Sequence, residues 1–86
     1  MIISFHKKFK KRYKKYPTKL QVQVDLRIQL FVQNQYNPIL ENHQLHGRFS
    51  GKSSINITGN IRAIYSILED GSFEFKYIGT HPELYE

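Results

Sequence analysis

The sequence predicts a single α+β domain over residues 1–86, with helices first and an antiparallel sheet second. Aromatic residues recur at helical spacing near the start, Pro17 interrupts that pattern before a second periodic stretch, and the last third holds short runs rich in Ile, Tyr and Phe. A chain of 86 residues has room for one modest core, and neither a repeat nor a linker divides it.

Phe5, Phe9, Tyr13 and Tyr16 follow one another at steps of four, four and three, which stacks them on one face of a helix with Ser4 as its N-cap. Lysines fill the remaining faces. Pro17 ends this helix, because proline disfavours helical backbone in the residue before it. Thr18 then caps a second segment that runs to about Gln35 and closes at Asn37-Pro38.

Two periodicities compete within that second segment. Leu20, Val22, Val24, Leu26, Ile28 and Leu30 alternate with polar residues, as in a half-buried strand, whereas Leu20, Val24, Ile28 and Phe31 share one face of a helix. The alternating run is long for a strand. A helix would complete a helical hairpin, which is the preferred reading.

After a polar link over residues 41–51, the runs 53–58, 61–68 and 73–78 read as strands. Gly59-Asn60 and Asp70-Gly71 lie between them, and both pairs tolerate the positive φ angles of tight hairpins, so an antiparallel meander is expected. In the middle run Ile61, Ala63, Tyr65 and Ile67 point one way; Arg62, Ile64, Ser66 and Leu68 point the other.

The formal net charge is +6 and the pI near 9.7, which favours a polyanionic partner. Charge is also segregated. Most of the basic residues lie between Lys7 and Lys19 with no acid before Asp25, whereas from Glu69 onward Asp70, Glu74, Glu83 and Glu86 join it against Lys76 alone. A charge run is usually a solvated face, but the absence of compensating acid favours RNA contact by Lys7, Lys8, Lys10, Lys11, Arg12, Lys14 and Lys15, extended by Arg48 and Lys52. The aromatics interleaved with this block read as core rather than as stacking platforms.

Cysteine is absent, so a disulfide framework or a thiolate metal site is not available, which suits a reducing cytoplasm. The opening Met-Ile-Ile-Ser-Phe is too short for the core of a signal peptide, and no run is long enough to span a bilayer. A cytoplasmic protein without a membrane partner is expected.

Three segments carry a family resemblance: Asn42-His43-Gln44-Leu45-His46-Gly47, then Ser54-Ile55-Asn56-Ile57-Thr58-Gly59-Asn60-Ile61-Arg62-Ala63-Ile64-Tyr65, then Ile78-Gly79-Thr80-His81-Pro82-Glu83-Leu84-Tyr85. In that order and spacing they resemble the YafQ-like and RelE-like toxins of the RelE/ParE superfamily, over nearly the whole chain. The resemblance implies a helical hairpin packed on a small curved antiparallel sheet, which decides the stretch 20–30 as helix. It also implies a cognate antitoxin, messenger RNA and the ribosome as partners, and no cofactor or metal.

The reaction implied is attack of an RNA 2′-hydroxyl on the adjacent phosphorus. It needs a base for the 2′-proton, an acid for the leaving oxygen and a cation for the growing phosphate charge. Imidazole suits the first two tasks near neutral pH, and guanidinium suits the third. His81 matches the histidine that YafQ-like toxins carry in the same Gly-Thr-His setting; the plainer reading is a solvated ring or a cap on the turn at Pro82. His43 matches a second histidine and is the complementary acid or base, while His46 and His6 read as surface residues.

Arg62 stands where RelE-like members carry an arginine for the scissile phosphate, although an ion pair with Glu74 would serve equally well there. Tyr85 matches the terminal aromatic that contacts the reacting nucleotide; the alternative is a ring tacking the C-terminus to the sheet. Asn56 and Asn60 replace a histidine and an aspartate of the YafQ-like pattern, and Ser54 and Asn56 replace lysines of the RelE-like one, so proton transfer falls to the histidines. The rival readings are a gyrase-directed, non-catalytic toxin of the same superfamily and a small basic RNA-binding protein.

Overall fold

The computed structural model describes residues 1–85; Glu86, counted above in the acidic tail, lies outside them. The chain opens with a strand, not a helix. Strand β1 (Ile3–Phe5) is followed by α1 (Lys7–Lys15), α2 (Thr18–Gln33), β2 (His43–Gln44), β3 (Ser53–Asn56), β4 (Ile61–Ile67), β5 (Phe73–Thr80) and α3 (His81–Tyr85), with 3-10 turns at Pro38–Leu40 and Gly47–Phe49. The sheet order is β1-β5-β4-β3-β2. Its β2 to β5 pairings are antiparallel, while β1 runs parallel to β5, pairing Ile3 with Phe73 and Phe5 with Phe75. The sheet is therefore mixed, and the expected antiparallel meander forms only its centre.

The parallel edge strand explains why the first helix starts later than the aromatic spacing predicts. Phe5 reaches the core from β1, where its ring lies 5.1 Å from Phe9 and 6.0 Å from Phe75. His6, not Ser4, is the N-cap of α1: its backbone is extended and its Nδ1 accepts the Lys8 N–H at 3.1 Å. His6 is thus half-buried and structural rather than simply a surface residue.

The stretch 20–30 is helical. Burial decides between the two periodicities: Val24 and Phe31 are buried and Leu20 and Ile28 pack against them, whereas Val22 and Leu26 are 49% and 54% exposed. Two of the six alternating residues therefore face water, which a helix allows and a half-buried strand would not. Tyr13 ties α1 to α2 by donating its hydroxyl to Asp25 at 2.8 Å, and Gln21 donates to the Tyr13 carbonyl at 3.0 Å.

One face of the sheet carries the main core. Ile55, Ile57, Ile61, Ala63, Tyr65, Phe75 and Ile78 pack against Phe9, Val24, Phe31 and Leu40. Phe31 lies edge-on to Tyr65, Phe73 and Phe75 at centroid distances of 5.0–5.5 Å, the arrangement aromatic quadrupoles favour. The alternation expected in β4 holds for Ile61, Ala63 and Tyr65; Ile67, at the strand end, is 63% exposed.

The opposite face holds a smaller cluster of Phe49, Ile64 and Leu84, flanked by Leu45 and Tyr77. Tyr77 is there because of a β-bulge. The pairing of β4 with β5 runs from Ile61↔Thr80 to Ile64↔Tyr77 and resumes at Tyr65↔Phe75, so Lys76 is skipped. Phe73, Phe75 and Ile78 consequently share the helix-covered face, and Tyr77 turns to the other.

Candidate active site

The basic block of α1 meets the second sheet face at a cleft of about 730 Å³. Lys8, Lys11, Arg12 and Lys15 lie on one helical stripe and form one wall. Arg48 and Phe49 come from the second 3-10 turn, Lys76, Tyr77 and Ile78 from β5, and Glu83 and Leu84 from α3. Among the described residues six cations thus share the lining with one carboxylate, a composition that favours a polyanion.

Tyr77 and Phe49 line the cleft, and from them a run of rings leads out to Tyr85 and His81, which lie beyond its lining. Tyr77 lies 5.2 Å from Phe49, Phe49 lies 5.4 Å from Tyr85, and Tyr85 lies 4.5 Å from the imidazole of His81. Lys8 Nζ and Lys76 Nζ stand 5.7 and 5.6 Å from the Tyr77 centroid, and the Arg48 guanidinium 5.2 Å from that of Phe49. These are cation–π distances.

His81 is the first residue of α3, where it is exposed. A capping box places it there: Glu83 Oε1 accepts the Thr80 N–H at 2.7 Å, and Thr80 Oγ1 accepts the Glu83 N–H at 3.3 Å. The other carboxylate oxygen, Oε2, accepts from Arg12 Nη1 at 2.7 Å, the one salt bridge among the described residues. These bonds, chiefly those from Thr80 and then Arg12, hold the Glu83 carboxyl below its ordinary value of 4.5. Gly79 makes room for the pair, since a Cβ there would stand 3.0 Å from Arg12 Nη1 and 3.1 Å from Glu83 Oε1. Beside Arg12, the Tyr16 hydroxyl is buried without a hydrogen-bond partner among the described residues; burial raises its pKa above 10.0, opposed by the guanidinium.

His43 and Arg62 lie on the same sheet face but outside the cleft lining. The register aligns His43 with Ser54, Ser54 with Ile64 and Ile64 with Tyr77. Three strand spacings therefore separate His43 from Tyr77, roughly 14 Å. His43 is exposed, and its Nδ1 lies 2.7 Å from the Glu41 carbonyl oxygen. Only a protonated Nδ1 can donate there, so in the neutral ring Nε2 carries the lone pair.

Among the described residues Arg62 pairs with no carboxylate, and Glu74 stands opposite Ser66 in the register. Its Nη1 donates to the carbonyls of Thr58, Gly59 and Ile61 at 2.9, 3.1 and 3.3 Å, closing the β3–β4 turn. Asn56, in the neighbouring register position, donates its side-chain amide to Glu41.

Of the other basic residues, Lys10 borders a separate apolar groove between α1 and α2, Lys52 donates to Ser66 Oγ at 3.3 Å, and Lys7 and Lys14 do not line the cleft. Sequence reasoning missed Phe49, Lys76, Tyr77 and Glu83. The Thr80-x-x-Glu83 box was legible as a helix start; the bulge that turns Tyr77 into the cleft was not.

No family model matches this sequence, and no curated protein matches it. The fold, however, is known. YafQ from E. coli strain BL21(DE3) superposes with a TM-score of 0.81 over 98% of this chain and 97% of its own, at 19% identity. A YoeB/ParE toxin from Agrobacterium tumefaciens gives 0.76 over 94% and 99% at 15% identity. A chain of the E. coli DinJ–YafQ toxin-antitoxin complex gives 0.77 over 98% and 96% at 20% identity. The chain has the fold of the YafQ and YoeB/ParE toxins. The resemblance read in the sequence therefore holds at the level of fold, down to full-length overlap. In this chain α1 and α2 cover one sheet face, and the basic cleft opens on the other. No helix among the described residues is long and apolar enough to cross a membrane.

Proposed function

We propose that this chain is the toxin of a toxin–antitoxin pair and an endoribonuclease that cuts messenger RNA on the ribosome. The observation that carries this reading is the cationic cleft whose aromatic floor leads to the imidazole of His81. In the proposed metal-independent step a base removes the 2′-proton as O2′ bonds to phosphorus. The bond from phosphorus to O5′ breaks, and an acid protonates O5′, leaving a 2′,3′-cyclic phosphate and a 5′-hydroxyl.

His81 is assigned the principal proton transfer, and His43, with its Nε2 available on the same sheet face, the complementary one. Arg62 is assigned to the phosphate charge and Tyr85 to stacking on the reacting nucleotide. Lys8, Lys11, Arg12, Lys15 and Arg48 hold backbone phosphates in the cleft, with Lys7, Lys10, Lys14 and Lys52 adding longer-range attraction.

YafQ is known in complex with DinJ. For this chain a cognate antitoxin is proposed to lay an acidic, partly helical segment over the basic and aromatic surface, folding as it binds. A cytoplasmic location follows from this role.

Controlled expression with primer extension on a translated reporter tests the reading. Translation-dependent cuts that vanish in His81→Ala support it. Growth arrest with an intact message would instead favour a non-catalytic toxin, directed at gyrase or acting by RNA binding alone.

A further inference from the structure

We propose that Arg12 is a phosphate subsite held closed by Glu83, whose carboxylate occupies the guanidinium until a nucleic-acid phosphate exchanges with it. The inference rests on the reading of the cleft as a nucleic-acid surface and adds a competitor built into it. Among the described residues, Glu83 is the one carboxylate in a lining that otherwise carries Lys8, Lys11, Lys15, Arg48 and Lys76.

Three observations make exchange rather than permanent pairing the expected behaviour. First, the Arg12 and Glu83 side chains are 40% and 45% exposed, so their pair is solvated and contributes little by itself. Second, the Glu83 carboxylate has a separate anchor in the Thr80 N–H and does not need Arg12 to keep its place in α3. Third, the buried Tyr16 hydroxyl beside Arg12 is a donor for which the described residues supply no acceptor. A phosphate is bidentate toward guanidinium and has further oxygens for such a donor.

Glu83→Gln tests this cleanly, because glutamine also closes a capping box and so retains α3 while removing the charge. The probe is a single-stranded DNA dodecamer, which lacks the 2′-hydroxyl and measures binding without cleavage. In wild type the phosphate replaces an internal carboxylate; in E83Q it gains a free cation. The slope of log affinity against log salt should therefore steepen by about 0.7, making E83Q roughly eightfold tighter at about 50 mM salt if the two proteins converge near 1 M. The double variant R12Q/E83Q should return to the wild-type slope, with melting curves at neutral pH lowered only by the small contribution of a solvated pair.

Equal slopes for wild type and E83Q overturn the exchange while leaving the nucleic-acid reading in place. A slope that stays steep in the double variant also overturns it, since the effect would then not run through Arg12. Failure of every variant to bind DNA overturns both readings together. If E83Q gains more for a dodecaglutamate peptide than for the DNA, the subsite belongs to an acidic polypeptide and not to a phosphate.

Discussion

Thr80 and Glu83 cap each other across the first turn of α3, each accepting the backbone N–H of the other. The bonds that form this box also bear on acid stability. Hydrogen bonds from Thr80, and then the charge of Arg12, lower the Glu83 pKa from 4.5; hydrogen bonds from the Ser72 hydroxyl and N–H lower that of Asp70 from 3.8. For a carboxyl with a depressed folded pKa, the stabilisation is complete above the unfolded value and disappears as pH falls through the folded one. Stability should thus be level from neutrality to about pH 5 and decline below the 4.5 and 3.8 of the free groups. Urea titrations across this range should show a shallower acid limb in Glu83→Gln and Asp70→Asn.

His81→Ala and His81→Gln should each lower message cleavage by roughly 10² to 10⁴-fold, the usual cost of losing a general acid or base. An exposed imidazole at the start of a helix capped by other groups contributes little to the fold, so both variants should melt like wild type. Glutamine keeps hydrogen bonding but cannot exchange a proton at neutral pH. Undiminished cleavage by both variants on translating ribosomes would falsify the proton-transfer role.

Arg62→Ala should reduce cleavage on the order of 10²-fold through loss of phosphate stabilisation. The structure adds a second expectation, because Nη1 serves three carbonyls of the β3–β4 turn. Removing it should cost about 1 kcal/mol, the ordinary contribution of a hydrogen-bonding group in a partly exposed turn. A variant that melts early while its folded fraction cuts at the wild-type rate would confine Arg62 to the turn.

The helical reading of α2 separates residues that look equivalent in the sequence. Val22→Lys and Leu26→Lys change exposed positions and should alter stability by no more than about 0.5 kcal/mol. Phe31→Ala removes a fully buried ring at the centre of the aromatic cluster and should cost about 3 to 5 kcal/mol. Chemical denaturation of the three variants distinguishes a helix from the alternating strand, in which Val22 and Leu26 would be core.

Much of this architecture is written in local pattern. Pro17 marks the boundary between α1 and α2, and the Ile, Tyr and Phe runs lie where β3, β4 and β5 form, because side-chain alternation and turn residues act over a few positions. Strand β1 was not legible, since Ile3–Phe5 is too short to establish a period and its partner is seventy residues away at Phe73–Thr80. The same limit hid the bulge at Lys76, which exists only in the register between β4 and β5.

The candidate site divides in the same way. The lysine stripe of α1 and the motif around His81 could be found by reading along the chain, whereas Tyr77, Phe49 and Lys76 enter the cleft through tertiary geometry. Glu83 lies between these cases. Its spacing from Thr80 announces a cap, but its bond to Arg12 joins residues far apart in sequence.

The pairing of β1 with β5 has a bearing on how the protein is made. One wall of the cleft comes from residues 8–16 and the opposing wall from residues 76–84, and the edge strand at the front of the chain closes on the last strand of the sheet. Translation delivers the first of these parts well before the second, and contacts so distant in sequence must wait for both. The nascent chain therefore carries its lysines on an incomplete scaffold until the second wall has emerged, and a premature stop before Lys76 yields a fragment without that wall.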